Sequence, residues 1–375
     1  METRPRVAID VTPLIGVRTG VGGALTDIVD ALGALAEPPT LVPYALSLRA
    51  RQHRSELPGD TRFVPLPATL LLRAWTRVDL PRIDRWFGPA DVLHATNYLA
   101  PPSRLPTVVT VYDLSFVRYP ELCTPEVRAF EPALRRAIAR GAVVHTSSEF
   151  VAGEIEEVFG PGLRAADRVA VVPLGVPRLG HTTRLPDSLR RQLAGAPYIL
   201  TIGTLEPRKN FAALVRAFAT VAANDASLRL VIAGKDGPAR ASVDAALAAL
   251  TPDARDRVVL AGPVDDAARL ALLDGAVVVA YPSVYEGFGL PVLEAMSRGV
   301  PVVTTVAGAI PEVAGDAALM VEPDDIDALA SAIVRAVHDD ALRRDLAERG
   351  RARVQQFSWS ATATGLAALY RRLAT

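Results

Sequence analysis

The sequence predicts an α/β protein made of two parallel, doubly wound domains in series. Three observations carry that expectation. Short apolar runs such as Arg6 to Val11 and Tyr198 to Gly203 recur in both halves, bounded by turn residues, as buried parallel strands are. Segments with helical apolar spacing alternate with them, which is the pattern of βαβ units. Between the halves, Pro173 to Pro197 is rich in Pro, Gly and Arg and has no periodicity. The expected domains are therefore 1–175 and 197–356, joined by a linker at 176–196, with a further helical segment at 357–375.

Bulk composition narrows the function. The 375 residues are long enough for two ordinary domains, and half of them are hydrophobic. Basic and acidic residues both total 41, so the basic excess of a nucleic-acid binder is missing. All but two of the basic residues, Lys209 and Lys235, are arginine, a bias expected from a GC-rich genome. The single cysteine, Cys123, rules out an intramolecular disulfide and a cysteine-only metal site. No apolar run approaches the ~18 residues of a membrane span, and no signal-peptide core opens the chain. A cytoplasmic location is the expectation.

The first strand, Arg6 to Val11, leads into the glycine-rich loop Gly16 to Gly23 and a helix to about Leu35. The loop does not follow GxGxxG, and the next strand, Thr40 to Leu46, lacks a terminal acid for an adenosine ribose. A dinucleotide site is not expected. Arg49 to Phe87 holds eight arginines against four acids, with Trp75, Trp86 and Phe87 interleaved. Leu71, Trp75 and Val78 share one helical face. The favoured reading is a solvated basic helix with its aromatics packed inward. The other is a basic surface in peripheral contact with an anionic membrane, at the inner face of the plasma membrane. Strands Asp91 to His94 and Thr107 to Tyr112 end at tips where open α/β folds collect catalytic groups. His94 is read as a structural histidine. A helix from about Glu126 to Arg140, a strand Ala142 to Thr146, a helix start at Ser147-Ser148-Glu149 and a strand Val169 to Val172 complete the half.

In the second half, strand Tyr198 to Gly203 runs into Glu206-Pro207-Arg208-Lys209-Asn210 and a helix to about Val221. Arg208 and Lys209 oppose the helix dipole unless an anion sits between them and the helix. A solvated surface pair is the alternative. Strands Leu228 to Ala233 and Arg257 to Ala261 and a helix Asp265 to Asp274 follow. Further on, Asp325 and Asp327 form a DxD, but they open a helix ending near His338, so capping explains them better than a metal.

The informative stretch is Tyr281 to Val303. Strand Ala276 to Ala280 enters a turn containing Gly287 and Gly289, then a helix from Leu290 to Ser297. Amides around Phe288 to Leu290 would face an anion such as a diphosphate. Glu286 before the helix and Glu294 one turn inside it can accept hydrogen bonds from pairs of sugar hydroxyls. That combination suits a nucleotide-sugar.

With Glu286, Gly287, Phe288, Gly289, Leu290, Pro291, Glu294, Ala295 and Gly299 in place, this string resembles the donor-binding motif of retaining glycosyltransferases of the GT-B fold. The family is a large one, including mannosyl- and glucosyltransferases. Gly203-Thr204-Leu205-Glu206-Pro207-Arg208-Lys209-Asn210 and Gly308-Ala309-Ile310-Pro311-Glu312 resemble it too. The resemblance implies two Rossmann-like domains facing a central cleft, with 357–375 crossing back to the first. It implies transfer of a hexose, mannose before others, with retention at the anomeric carbon and with neither metal nor cofactor. The donor would be GDP-mannose or, second, a UDP-sugar; the acceptor would be a hydroxyl of a glycan or lipid-linked molecule. In the implied roles Glu286 holds sugar hydroxyls, Glu294 the ribose, and Arg208 and Lys209 the leaving diphosphate. Gly22, Gly203, Thr204, Gly287, Phe288, Gly289 and Leu290 lie at the donor, with Val264 holding the base through its backbone. Tyr112 and Asp113 form the acceptor-side tip, and there the chain departs from its relatives, which commonly carry histidine before the aspartate. That departure motivates a rival, a non-catalytic nucleotide-sugar-binding subunit. A GT-B-type epimerase or hydrolase is the other.

Overall fold

The computed structural model describes residues 4–16, 20–47, 50–176 and 184–375. They form two compact units, one of residues 1–177 with 357–375, the other of residues 178–356. Residues 17–19 of the glycine-rich loop, Arg49, and 177–183 of the expected linker lie outside the described residues.

Among the described residues the first unit has seven parallel strands: β1 Arg6–Asp10, β2 Thr40–Leu46, β3 Arg62–Val64, β4 Val92–Ala95, β5 Thr107–Thr110, β6 Val143–Thr146 and β7 Val169–Val171. They lie in the order β3-β2-β1-β4-β5-β6-β7. The second has six: β8 Tyr198–Ile202, β9 Arg229–Ala233, β10 Val258–Gly262, β11 Val278–Tyr281, β12 Val302–Thr305 and β13 Leu319–Val321, ordered β10-β9-β8-β11-β12-β13. Both sheets are doubly wound, and each reverses direction once, between β1 and β4 and between β8 and β11. Helices cover both faces, so the strand residues are apolar almost without alternation; Val7, Ala8 and Ile9 are all fully buried. In the second unit Ile199, Leu230 and Ile232 meet Leu214 and Phe218 of helix Phe211–Asn224.

The terminal helix Trp359–Ala374 belongs to the first unit. A chain of buried hydrogen bonds ties it to the sheet. His145 Nε2 donates to the Val172 carbonyl at 3.2 Å, which leaves its Nδ1 to accept from Thr110 Oγ1 at 2.9 Å. Thr110 in turn accepts from His94 Nε2 at 2.8 Å, and His94 Nδ1 accepts from the Tyr370 hydroxyl at 2.7 Å. Each donor meets one acceptor, so the polarity of the whole chain is determined. His94 is structural, as expected.

Three local expectations are corrected. The helix expected from Glu126 to Arg140 is two, Pro125–Arg128 and Phe130–Ala139. Pro132 cannot donate to Arg128, so the helix restarts just before it. Helix Ala68–Trp75 buries Leu71 and Trp75 but stops short of Val78, which is 49% exposed. There Asp79 turns away to Arg140 Nη1 at 2.8 Å and Arg136 Nη2 at 2.9 Å. The expected linker contains helix Asp187–Leu193, anchored by buried Leu189 and Leu193. No helix among the described residues is long and apolar enough to cross a membrane.

Candidate active site

In the second unit the loops leaving β8 and β11 flank the point where strand order reverses, the place where open α/β sheets bind ligands. They are joined directly, with Val284 N donating to the Arg208 carbonyl at 2.8 Å. The β8 loop ends in a single 3-10 turn, Pro207–Lys209, which turns both cations toward the β11 loop.

Glu286 sits at the junction, 6% exposed. Its Oε1 accepts from Lys209 Nζ at 2.5 Å and from the hydroxyls of Tyr281 and Ser283, each at 2.8 Å. Arg208 Nη1 lies 3.1 Å from Oε2, while Arg208 Nε is held by Glu206 Oε2 at 2.9 Å. Lys209 also hydrogen-bonds the Tyr281 hydroxyl, and its ammonium lies 4.7 Å from that ring's centroid. Burial alone would raise the Glu286 carboxyl. The Lys209 and Arg208 charges, with hydrogen bonds from Lys209 and Ser283, overcome burial and hold it at about 2. Burial pushes the Lys209 ammonium below its ordinary value, and Glu286 beside it offsets part of that. The result is a buried ion pair.

A layer behind these groups fixes them. Thr304 Oγ1 donates to the Tyr281 carbonyl at 2.8 Å and Thr305 Oγ1 to the Ser283 carbonyl at 2.5 Å. Ala309 N donates to the Glu286 carbonyl at 2.8 Å. A Cβ at Gly308 would overlap that same carbonyl, so the loop resembling the family's GAIPE start needs glycine there. Gly289, with φ 101°, precedes helix Leu290–Ser297 without a side-chain cap. Glu294, 5% exposed on that helix, accepts from Arg269 Nη1 at 2.5 Å. Burial pushes its carboxyl up, and Arg269 only partly reverses this. Gly203, Thr204 and the half-buried Val264 also sit in loops at carboxyl ends of this sheet.

The remaining candidates belong to the first unit. Asp113 Oδ1 accepts from the Ser115 amide at 2.9 Å and hydroxyl at 2.7 Å, fixing the turn after β5. The Tyr112 hydroxyl is buried with no hydrogen-bond partner among the described residues, and burial raises its pKa. Gly22 lies in helix Gly20–Gly33, where a Cβ would stand 2.8 Å from the Pro13 carbonyl oxygen, so close packing accounts for the glycine.

The family described as glycosyl transferases group 1 matches residues 190–353, a span that holds both cationic residues, Glu286 and Glu294. The O-antigen chain mannosyltransferase B of Escherichia coli is 34% identical over 290 residues, covering 75% of this chain and 74% of that protein. The chain belongs to the glycosyl transferases group 1 family. Its fold is GT-B. Sucrose-phosphate synthase from Thermosynechococcus elongatus matches it with a TM-score of 0.71 at 20% identity, over 99% of both chains. Anabaena HepE in complex with UDP-glucose matches with 0.70 at 18%, over 97% of this chain and 98% of that one.

Sequence reasoning about this glycosyltransferase missed Tyr281, Ser283 and Arg269. The first two carried a signal, since Tyr281-Pro282-Ser283 ends β11 beside the β8 tip that holds Lys209. Arg269 carried none; it sits 25 residues before Glu294 on a helix whose facing side only packing decides.

Proposed function

We propose that this glycosyltransferase moves a hexose, mannose first, from a nucleoside diphosphate sugar to a hydroxyl of a glycan or lipid-linked acceptor. Transfer proceeds with retention and without a metal. The observation that carries the reading is the buried Arg208–Lys209–Glu286 cluster at the switch point of the second unit. Breaking the bond from the anomeric carbon to the diphosphate oxygen puts positive charge on the sugar and negative charge on the diphosphate. Lys209 directs two of its three N–H groups to Glu286 and Tyr281 and has a third for a phosphate oxygen. Glu286 Oε2 retains accepting capacity for a sugar hydroxyl. The departing phosphate oxygen takes the acceptor's proton as the new glycosidic bond forms on the same face. Glu294 holds the ribose. Mannose is favoured because the 34% identical relative is named a mannosyltransferase, and a UDP-sugar is second because HepE was captured with UDP-glucose.

Product analysis with GDP-mannose and UDP-glucose tests the donor. Activity is expected to persist in EDTA; complete loss, restored by manganese or magnesium, would overturn the metal-free reading.

Peripheral contact of this protein with an anionic membrane is supported by one surface. Leu70, Val78 and Leu80 are 58%, 49% and 64% exposed, among exposed Arg73, Arg77 and Arg82. Asp79 between them is turned to Arg136 and Arg140, so the loop is held while its apolar side chains face outward. Co-sedimentation with phosphatidylglycerol vesicles should fall in the Val78→Ser/Leu80→Ser double variant.

A further inference from the structure

The first unit contains a cavity of about 460 Å³ lined by Arg51, Arg54, Thr61, Arg62, Phe63 and Trp86. We propose that this cavity is an anion site that takes the phosphate or diphosphate group of a ligand, separate from the Arg208–Lys209 cluster of the second unit. Its arginines come from two elements, the 3-10 segment Ala50–Glu56 and edge strand β3. None of the three guanidinium groups makes a hydrogen bond or ion pair with another described residue. The nearby acid that could have neutralised them is used elsewhere. Glu56 accepts from the Gly16 amide at 2.8 Å and pairs with His53 Nδ1 at 2.9 Å. Asp60 is the other carboxylate in this segment, and three guanidiniums outnumber it.

Three like charges around one concavity repel one another, and an anion between them removes that cost. Guanidinium forks match phosphate oxygens two at a time, which favours phosphate over a simple halide. Three such forks suit the charge of a diphosphate. The walls between them are aromatic. Arg85 lies over the Trp86 ring at 4.1 Å from its centroid, which braces one wall. Phe63 and Trp86 thus offer a flat apolar surface to whatever the phosphate carries.

Its place in the fold fits ligand entry. Arg62 is in register with Tyr44, which is in register with Asp10, the last residue of β1. The cavity therefore lies beside edge strand β3, level with the carboxyl end of β1. The Gly16–Glu56 hydrogen bond ties it to the loop leaving β1.

The test uses inorganic pyrophosphate titrated into the full chain by calorimetry. Two sites are expected, one abolished by Lys209→Met and the other weakened at least tenfold by Arg54→Ala/Arg62→Ala. Both arginines are exposed, so that variant should fold, and its melting temperature checks this. Equal uptake by the arginine variant and the native chain overturns the proposal, as does loss of all binding in Lys209→Met. A second arm finds the source of the phosphate. Binding to phosphatidic acid vesicles that requires Arg54 and Arg62 and is displaced by pyrophosphate places the group on a lipid. Vesicle binding independent of these residues, with pyrophosphate binding that still needs them, places it on a soluble ligand.

Discussion

Lys209 and Glu286 are each too buried to be charged alone, so each depends on the other. Removing one partner of such a pair typically costs about 3–5 kcal/mol, because the remaining charge stays buried. Lys209→Met should therefore lower kcat by roughly 10²–10³-fold, as for one preorganised charge partner, with some loss of stability. Arg208 still partners Glu286 in that variant, which keeps it testable. The acid limb gives a second reading of the pair. Glu286 falls from 4.5 to about 2 on folding, so its contribution is present above pH 4.5 and is lost as pH falls toward 2. That shift corresponds to on the order of 3 kcal/mol. The stability difference between the native chain and Glu286→Gln should narrow over that window in urea titrations. Tyr112 behaves differently, because its buried hydroxyl bonds to nothing described. Tyr112→Phe should leave folding stability unchanged or about 1 kcal/mol higher and cost transfer less than about 2 kcal/mol. A larger loss of kcat/KM would show that the hydroxyl meets substrate.

Helix Leu290–Ser297 and helix Asp266–Gly275 meet through Glu294 and Arg269, and under the proposed function this contact should tune donor affinity. Glu294→Ala should weaken nucleotide binding by about 1–3 kcal/mol, the loss of a charged acceptor. Arg269→Gln tests the contact between the helices. Without the guanidinium, burial acts on Glu294 unopposed and its carboxyl rises further from the ordinary value. Nucleotide affinity of Arg269→Gln should then fall with decreasing pH sooner than that of the native chain; parallel calorimetric pH profiles would refute the coupling. At this scale the sequence was legible wherever one local rule decided the outcome. Strand Thr40–Leu46 and helix Leu290–Ser297 have the expected bounds, and Asp325 caps its helix, accepting from Ala328 N at 2.8 Å. The expectations failed where a distant group decided it. Val78 leaves the helical face because Asp79 is drawn to residues some sixty positions on. The break at Ala129 was legible in Pro132 and overlooked. Helix Asp187–Leu193 gave no pattern, since two buried leucines on a seven-residue helix are too few to show a period.

Across the whole molecule, acid should find the first unit sooner, because its buried histidines titrate before the second unit's Glu286. His94 and His145 are fully buried there, and their hydrogen-bond chain needs both neutral. Burial holds His145 down to about 4 and His94 well below its ordinary value. A base with a depressed folded pKa stabilises fully above its unfolded value, 6.5, and loses that contribution as pH falls toward the folded value. His145 accounts for about 3 kcal/mol on that shift, and His94 adds a loss in the same direction. Asp10, raised by burial to about 6, works the other way, gaining about 3 kcal/mol of stability as pH falls from 6 to 3.8. His145 and Asp10 nearly offset each other between pH 6.5 and 4, so the loss of His94 decides the sign and leaves a net destabilisation. The second unit's Glu286 begins to lose its contribution only below about 4.5. The three tryptophans, Trp75, Trp86 and Trp359, all lie in the first unit, so their fluorescence reports that unit alone. Urea midpoints by tryptophan fluorescence should therefore drop as pH is lowered from 7 to 4.5, and Asp10→Asn should deepen the drop. Midpoints that stay level in both proteins would mean that His94 and His145 titrate without unfolding the sheet they join to Tyr370.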